Sequence, residues 1–181
     1  VAPLLASRGS SFAAGAGKVV DAKLLAAPAT AQLAPEKYPS TAVWAYNASV
    51  PGPVLRVRQG ERLRVAVENR LAEGTTVHWH GVRVPNAMDG VPIITQPSIE
   101  PGGRFVYEFA PPDAGTFFYH PHQRGFEQMG RGLAGALIVE EREPPKVDRD
   151  LVWMLGDFRL NADASIRGGF DSFMDVSHAG R

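Results

Sequence analysis

Arg62-Leu63-Arg64-Val65-Ala66-Val67-Glu68 is the stretch on which the reading of the fold turns. Side chains of a β-strand alternate between its two faces. Here Leu63, Val65 and Val67 fall on one side, and Arg62, Arg64 and Glu68 on the other. A clean period of two predicts a strand with one face on a core and one in water. The run before it agrees. Leu55 and Val57 alternate with Val54, Arg56 and Arg58, and Gln59-Gly60-Glu61 reads as a tight connection between the two runs.

Outward from this pair, short runs of the same kind recur at residues 75–80, 104–109, 116–119, 136–139 and 151–155. Order begins near Val43-Trp44-Ala45-Tyr46-Asn47. Turn signals such as Pro51-Gly52-Pro53, Pro101-Gly102-Gly103 and Pro111-Pro112-Asp113 separate several of the runs. No helical period stands between them. Many short strands divided by Gly/Pro turns predict an all-β Greek-key sandwich.

The organisation expected around that sandwich has three parts. Residues 1–42, rich in Ala, Gly, Ser and Pro, read as an extended arm with one short strand. Residues 43–145 form the sandwich, which Pro144-Pro145 closes. Residues 146–181 read as a last strand and a linker into a second domain, since the chain reaches His178-Ala179-Gly180-Arg181 without an obvious closing element. The opening Val1-Ala2-Pro3 is consistent with a removed leader. No internal repeat is evident.

Composition narrows the function classes. The 181 residues are 44% hydrophobic, enough for one sizeable core. Basic and acidic residues balance at 19 each, so no basic excess points to nucleic acid or an anionic membrane surface. Cysteine is absent, which closes disulfide and thiolate chemistry within these residues. No apolar run reaches the roughly 20 residues of a membrane span.

The chemistry lies in the histidines. Four of the five fall in two His-x-His pairs, His78-Trp79-His80 and His120-Pro121-His122. On a strand, i and i+2 share a face about 6.6 Å apart, a spacing wide for one ion and suited to two neighbouring ions. Imidazole is a good ligand for copper, zinc, iron and nickel. Spacing therefore implies a metal site without choosing the metal. Pro121 lacks an N–H and belongs at a strand end, which places His120 and His122 where a strand leaves its sheet. Trp79, between two ligands, should point the other way into the core. Phe117, Phe118, Tyr119, Met88 and Met129 read as packing residues. Arg124, Glu127 and Arg131 read as a solvated loop after the second pair, and His178 as a non-ligand.

The flanks carry a resemblance. Thr76-Val77-His78-Trp79-His80-Gly81 resembles the His-Trp-His-Gly signature of the multicopper oxidases, the laccase and cuprous-oxidase family. Met88-Asp89-Gly90-Val91-Pro92, Thr95-Gln96-Pro97 and Ile99-Glu100-Pro101-Gly102 are similar to the family's next block. Gly115-Thr116-Phe117-Phe118-Tyr119-His120-Pro121-His122 and Gly132-Leu133-Ala134-Gly135-Ala136-Leu137-Ile138-Val139 are similar to the blocks that follow. Together they cover roughly residues 44–160.

The resemblance implies a cupredoxin-like sandwich, the first domain of a three-domain enzyme. That enzyme couples one-electron oxidation of a phenolic, aromatic or cuprous substrate to four-electron reduction of dioxygen to water. It implies that His78 ligates a type 2 copper and that His80, His120 and His122 ligate a type 3 pair. The other cluster ligands would come from a further cupredoxin domain, on the same or a separate chain, which would also carry a type 1 copper. Asp89 corresponds to an acidic residue implicated in proton delivery; read simply as Asp-Gly, it is a turn. A periplasmic or secreted location is expected. Without a cysteine or a second set of His-x-His motifs, these residues should be inactive by themselves. The rivals are a copper-free structural relative, a copper nitrite reductase (whose first domain needs the cysteine missing here) and a free-standing metal-binding module.

Overall fold

The computed structural model describes residues 18–170. Two four-stranded sheets face each other. The first sheet has the order β2-β1-β4-β6, from β1 (Val19–Ala31), β2 (Thr41–Tyr46), β4 (Arg62–Asn69) and β6 (Arg104–Phe109). The second has the order β3-β8-β7-β5, from β3 (Gly52–Arg58), β5 (His78–His80), β7 (Gly115–His120) and β8 (Gly135–Glu140). Consecutive strands repeatedly change sheet, as in a Greek-key sandwich of cupredoxin type. Gln59-Gly60-Glu61 thus joins β3 to β4 across the sandwich rather than within one hairpin.

The founding alternation holds in β4. Leu63, Val65 and Val67 are buried, while Arg64 and Ala66 are exposed. Between the sheets these side chains meet Leu24, Tyr107 and Phe109 from one sheet, and Leu55, Val57, Trp79, Tyr119 and Leu137 from the other. Trp79 anchors the β5 side. Its ring centroid lies 5.0 Å from Phe109, 5.5 Å from Tyr107 and 5.9 Å from Tyr119.

Four expectations need correction. Residues 19–31 do not form an arm with a short strand. They make the longest strand, parallel to β4 and antiparallel to β2. Its inner residues are small or sparse, Leu24 and Ala26, so alternation is faint in the sequence although the backbone is fully engaged. The run 75–80 is a strand only over His78–His80; Thr75 pairs instead with Ile99 in an isolated bridge. Residues 151–155 alternate but form no ladder with any described strand, and Trp153 and Leu155 stand 84% and 89% exposed. A short helix, α1 (Gly125–Gly130), and a 3-10 turn (Asn86–Met88) were not foreseen. One turn of helix leaves no period to detect. The expectation for His178 lies outside the described residues, as do parts of the expected arm and tail.

Candidate metal centre

Burial of Trp79 decides where the first histidine pair points. Trp79 is fully buried, so His78 and His80, its neighbours on β5, project from the outer face of the second sheet. β5 is an edge strand paired with β7, in the register His78 opposite His120 and His80 opposite Phe118. On β7, Tyr119 points inward and is buried, so Phe118 and His120 also face out. Three imidazoles and one phenyl ring therefore share a patch. Phe118 stacks against both His80 (4.5 Å, 26°) and His120 (4.8 Å, 21°). His122 lies past the end of β7. Its ring stands 5.3 Å from that of His78 and 6.4 Å from that of His120.

The structure brings three of the four sequence-predicted histidines into one donor group, and His122 stands outside that group with its ring beside that of His78. One ring nitrogen from each of His78, His80 and His120 falls in a group in which all lie within 4.8 Å of one another. The Nδ1 of His78 is 2.8 Å from the Asp89 carbonyl oxygen, and the Nδ1 of His120 is 2.9 Å from that of Pro121. A carbonyl only accepts, so in both rings the proton sits on Nδ1 and the Nε2 lone pair is left to donate. The Nδ1 of His80 lies 3.2 Å from Nε2 of His120. Burial, and to a lesser degree the neighbouring rings of His78, His80 and His122, lower the pKa of His120 from the ordinary 6.5 to about 4, against the opposing hydrogen bond to the Pro121 carbonyl. The ring is thus neutral at ordinary pH, the form a metal ion needs. A cluster of imidazoles, two of them with Nδ1 anchored on a carbonyl, fits a soft-to-borderline transition metal.

Asp89 closes the 3-10 turn after Asn86–Met88. Besides its carbonyl, its carboxylate Oδ1 lies 3.4 Å from Nδ1 of His78, and its side chain is about a third exposed. Gly90 follows at φ +74°, packed against the carbonyl of Val77. Met88 packs on the core, and its sulfur accepts from the Glu108 N–H at 3.3 Å.

The loop after the second pair is not the solvated element expected. Glu127 on α1 is buried, 6% exposed. It accepts from Arg131 Nε at 2.8 Å and from Arg124. Arg131 in turn covers the Trp44 ring at 4.7 Å. Sequence reasoning missed Gln128 and Thr75, two buried polar residues that tie α1 to the approach to β5. Neither carries a signal that can be read without the fold.

A family model described as multicopper oxidase matches residues 28–144. The chain belongs to the multicopper oxidase family. Among curated members, it is 43% identical over 116 residues to copper resistance protein A of Pseudomonas syringae pv. tomato, a match covering 63% of this chain and 19% of that protein. It is 37% identical over 161 residues to the multicopper oxidase MmcO of Mycobacterium tuberculosis, covering 82% of this chain and 31% of the relative. Among solved structures, Lac15 from a marine microbial metagenome superposes with a TM-score of 0.77 at 50% identity, over 81% of this chain and 39% of that one. The multi-copper oxidase of Pseudomonas thermotolerans gives 0.76 at 41% identity, over 84% and 37%. The chain thus spans between about a fifth and two fifths of these multicopper oxidases. Among the described residues, no helix is long and apolar enough to cross a membrane.

Proposed function

We propose that His78, His80, His120 and His122 supply half the ligands of a copper cluster in an enzyme that oxidises a small substrate and reduces dioxygen to water. The observation that carries this reading is the convergence of imidazole donors within 4.8 Å on one outward face. His78 would hold the type 2 copper, and His80, His120 and His122 the type 3 pair. Bound copper would supply the electron storage and oxygen-binding chemistry that no side chain here can provide. The remaining ligands and the type 1 copper belong to a further cupredoxin domain. The substrate is phenolic, aromatic or cuprous, and the location periplasmic or secreted.

The protein's own part is orientation and proton supply. Carbonyl acceptors at Asp89 and Pro121 fix the His78 and His120 rings so that Nε2 faces the cluster. Phe118 limits tilting of His80 and His120 by stacking on both. Reduction of one dioxygen to two waters consumes four protons. Asp89, partly exposed and 3.4 Å from His78 Nδ1, can take a proton from water and hold it beside the site.

Titration of the 181-residue chain with cupric ion, followed by electron paramagnetic resonance, tests the reading. Copper uptake that weakens in His78→Ala and His120→Ala is expected. A chain that takes up no copper above a non-histidine control would sink it. For Asp89, the complete oxidase carrying Asp89→Asn should keep its copper and lose about 10²-fold or more in oxygen-reduction rate. Full activity in that variant would remove Asp89 from the proton path.

A further inference from the structure

β5 is an edge strand of three residues, and its ladder to β7 ends at the His78–His120 pair. So short a ladder cannot by itself fix how the chain before His78 sits against the chain after His120. Two hydrogen-bonded straps lie beyond it. The nearer runs from the His122 N–H to Thr76 Oγ1 at 3.2 Å. The farther is built on Gln128, a wholly buried side chain on α1. Its Nε2 donates to Glu73 Oε1 at 2.7 Å and to the Gly74 carbonyl at 2.9 Å. Its Oε1 accepts from Thr75 Oγ1 at 2.7 Å. Both amide hydrogens and one oxygen lone pair are therefore used, on three consecutive residues.

We propose that Gln128 is a positioning residue for the histidine quartet, locking the segment that carries His120 and His122 to the segment that leads into His78. The inference rests on the metal-site reading above. Gln128 lies six residues after His122, and Thr75 three before His78. Neither touches the cluster, so their effect must run through the backbone. Thr75 is itself held from the other side, exchanging backbone hydrogen bonds with Ile99 at 3.1 and 2.8 Å. The amide thus joins α1 to a segment already fixed to the sandwich. Loss of the amide takes its partner from the buried Thr75 hydroxyl and from the half-buried Glu73 carboxylate and Gly74 carbonyl, and lets the two ligand segments drift apart.

The test is cupric-ion titration of the 181-residue chain, read by affinity and by the paramagnetic resonance spectrum. Gln128→Met keeps the volume and removes all three bonds. It is expected to weaken copper binding by about 10- to 100-fold and to change the copper hyperfine pattern. Thr75→Val removes one hydroxyl and should move both readouts the same way. Thr75→Ser keeps the hydroxyl and should restore wild-type values. If Gln128→Met does not fold, the Thr75 pair carries the same test. Val57→Ala, a core change on β3 (Val57 is 2% exposed), controls for general destabilisation and should leave the spectrum unchanged. Wild-type copper binding in Gln128→Met and Thr75→Val, or an equal loss in Val57→Ala, overturns the proposal. A wild-type chain that binds no copper instead overturns the underlying metal-site reading.

Discussion

Replacing Gly90 with alanine tests how His78 is held. Gly90 lies at φ +74°, where an L-residue costs about 1–2 kcal/mol. It also lies directly against β5. A Cβ there would stand 1.9 Å from the Val77 carbonyl oxygen and 2.9 Å from the His78 nitrogen, and real Cβ atoms essentially never approach within 3.0 Å. The turn must therefore retreat by about 1 Å. The bond from His78 Nδ1 to the Asp89 carbonyl, now 2.8 Å, would open to about 4 Å, beyond hydrogen-bonding range. Crowding of this kind adds about 1–3 kcal/mol, so the whole loss is about 2–5 kcal/mol. In a chain of this size that lowers the melting temperature by about 10 °C. Copper affinity should fall about 10-fold or more, because His78 loses the acceptor that fixes its tautomer. Gly102→Ala is the internal control. Gly102 has φ +76° with nothing within 4 Å of its Cβ position. It should lose about 1–2 kcal/mol and bind copper normally. The assay is thermal melting by circular dichroism, with copper titration of both variants. A Gly90→Ala protein that melts with Gly102→Ala and binds copper like the wild type would refute the reasoning.

Trp79→Ala removes the largest fully buried side chain and should cost about 3–5 kcal/mol in urea denaturation; a loss below about 1 kcal/mol would mean that the ring does not anchor β5. Stability should also fall in alkali through Tyr107, whose buried hydroxyl accepts from the Val77 N–H at 2.9 Å. Burial raises its pKa from the ordinary 10.0 to about 12. The unfolded chain therefore releases this proton first, and stability present below pH 10 is lost as pH rises towards 12. Tyr107→Phe should show a shallower fall of the urea midpoint over that window; an identical slope would exclude Tyr107 as the group responsible.

What could be read in the sequence is what a period of two exposes. β4 was legible because Leu63, Val65 and Val67 face a core while arginines face water. The His-x-His pairs were legible because the same period puts i and i+2 on one face, and Trp79 between them had to turn inward. β1 was missed because its sheet neighbours supply the packing that its own alanines do not. Residues 151–155 were over-read for the opposite reason. Their alternation is a capacity for pairing, and they pair with no described strand. Glu127 and Gln128 could not be foreseen, because burial of a polar residue depends on partners 3 to 55 positions away. The arrangement of four rings on one patch needed the β5–β7 register, which no local pattern specifies.

That register ties the metal site to the core. A slip of one residue in β5 would turn Trp79 out to solvent and both histidines in. The slip would forfeit the burial of Trp79, about 3–5 kcal/mol by the cost of truncating such a ring. It would also bury His78 away from its carbonyl acceptor and His80 away from the His120 ring, at about 1–3 kcal/mol for each unsatisfied group. The sum rivals the whole stability of an ordinary domain, about 5–15 kcal/mol. The position of His78 and His80 is therefore set by packing on the opposite face of the strand, before any metal is present. On β7, Tyr119 acts in the same way for His120, since its ring is buried and its hydroxyl donates to the Pro53 carbonyl at 2.7 Å. His122 has no such counterweight, because it lies beyond the ladder. Its place depends on Thr76 and on the docking of α1, which is why the hydrogen bonds behind that helix should matter more for metal binding than for the sandwich itself.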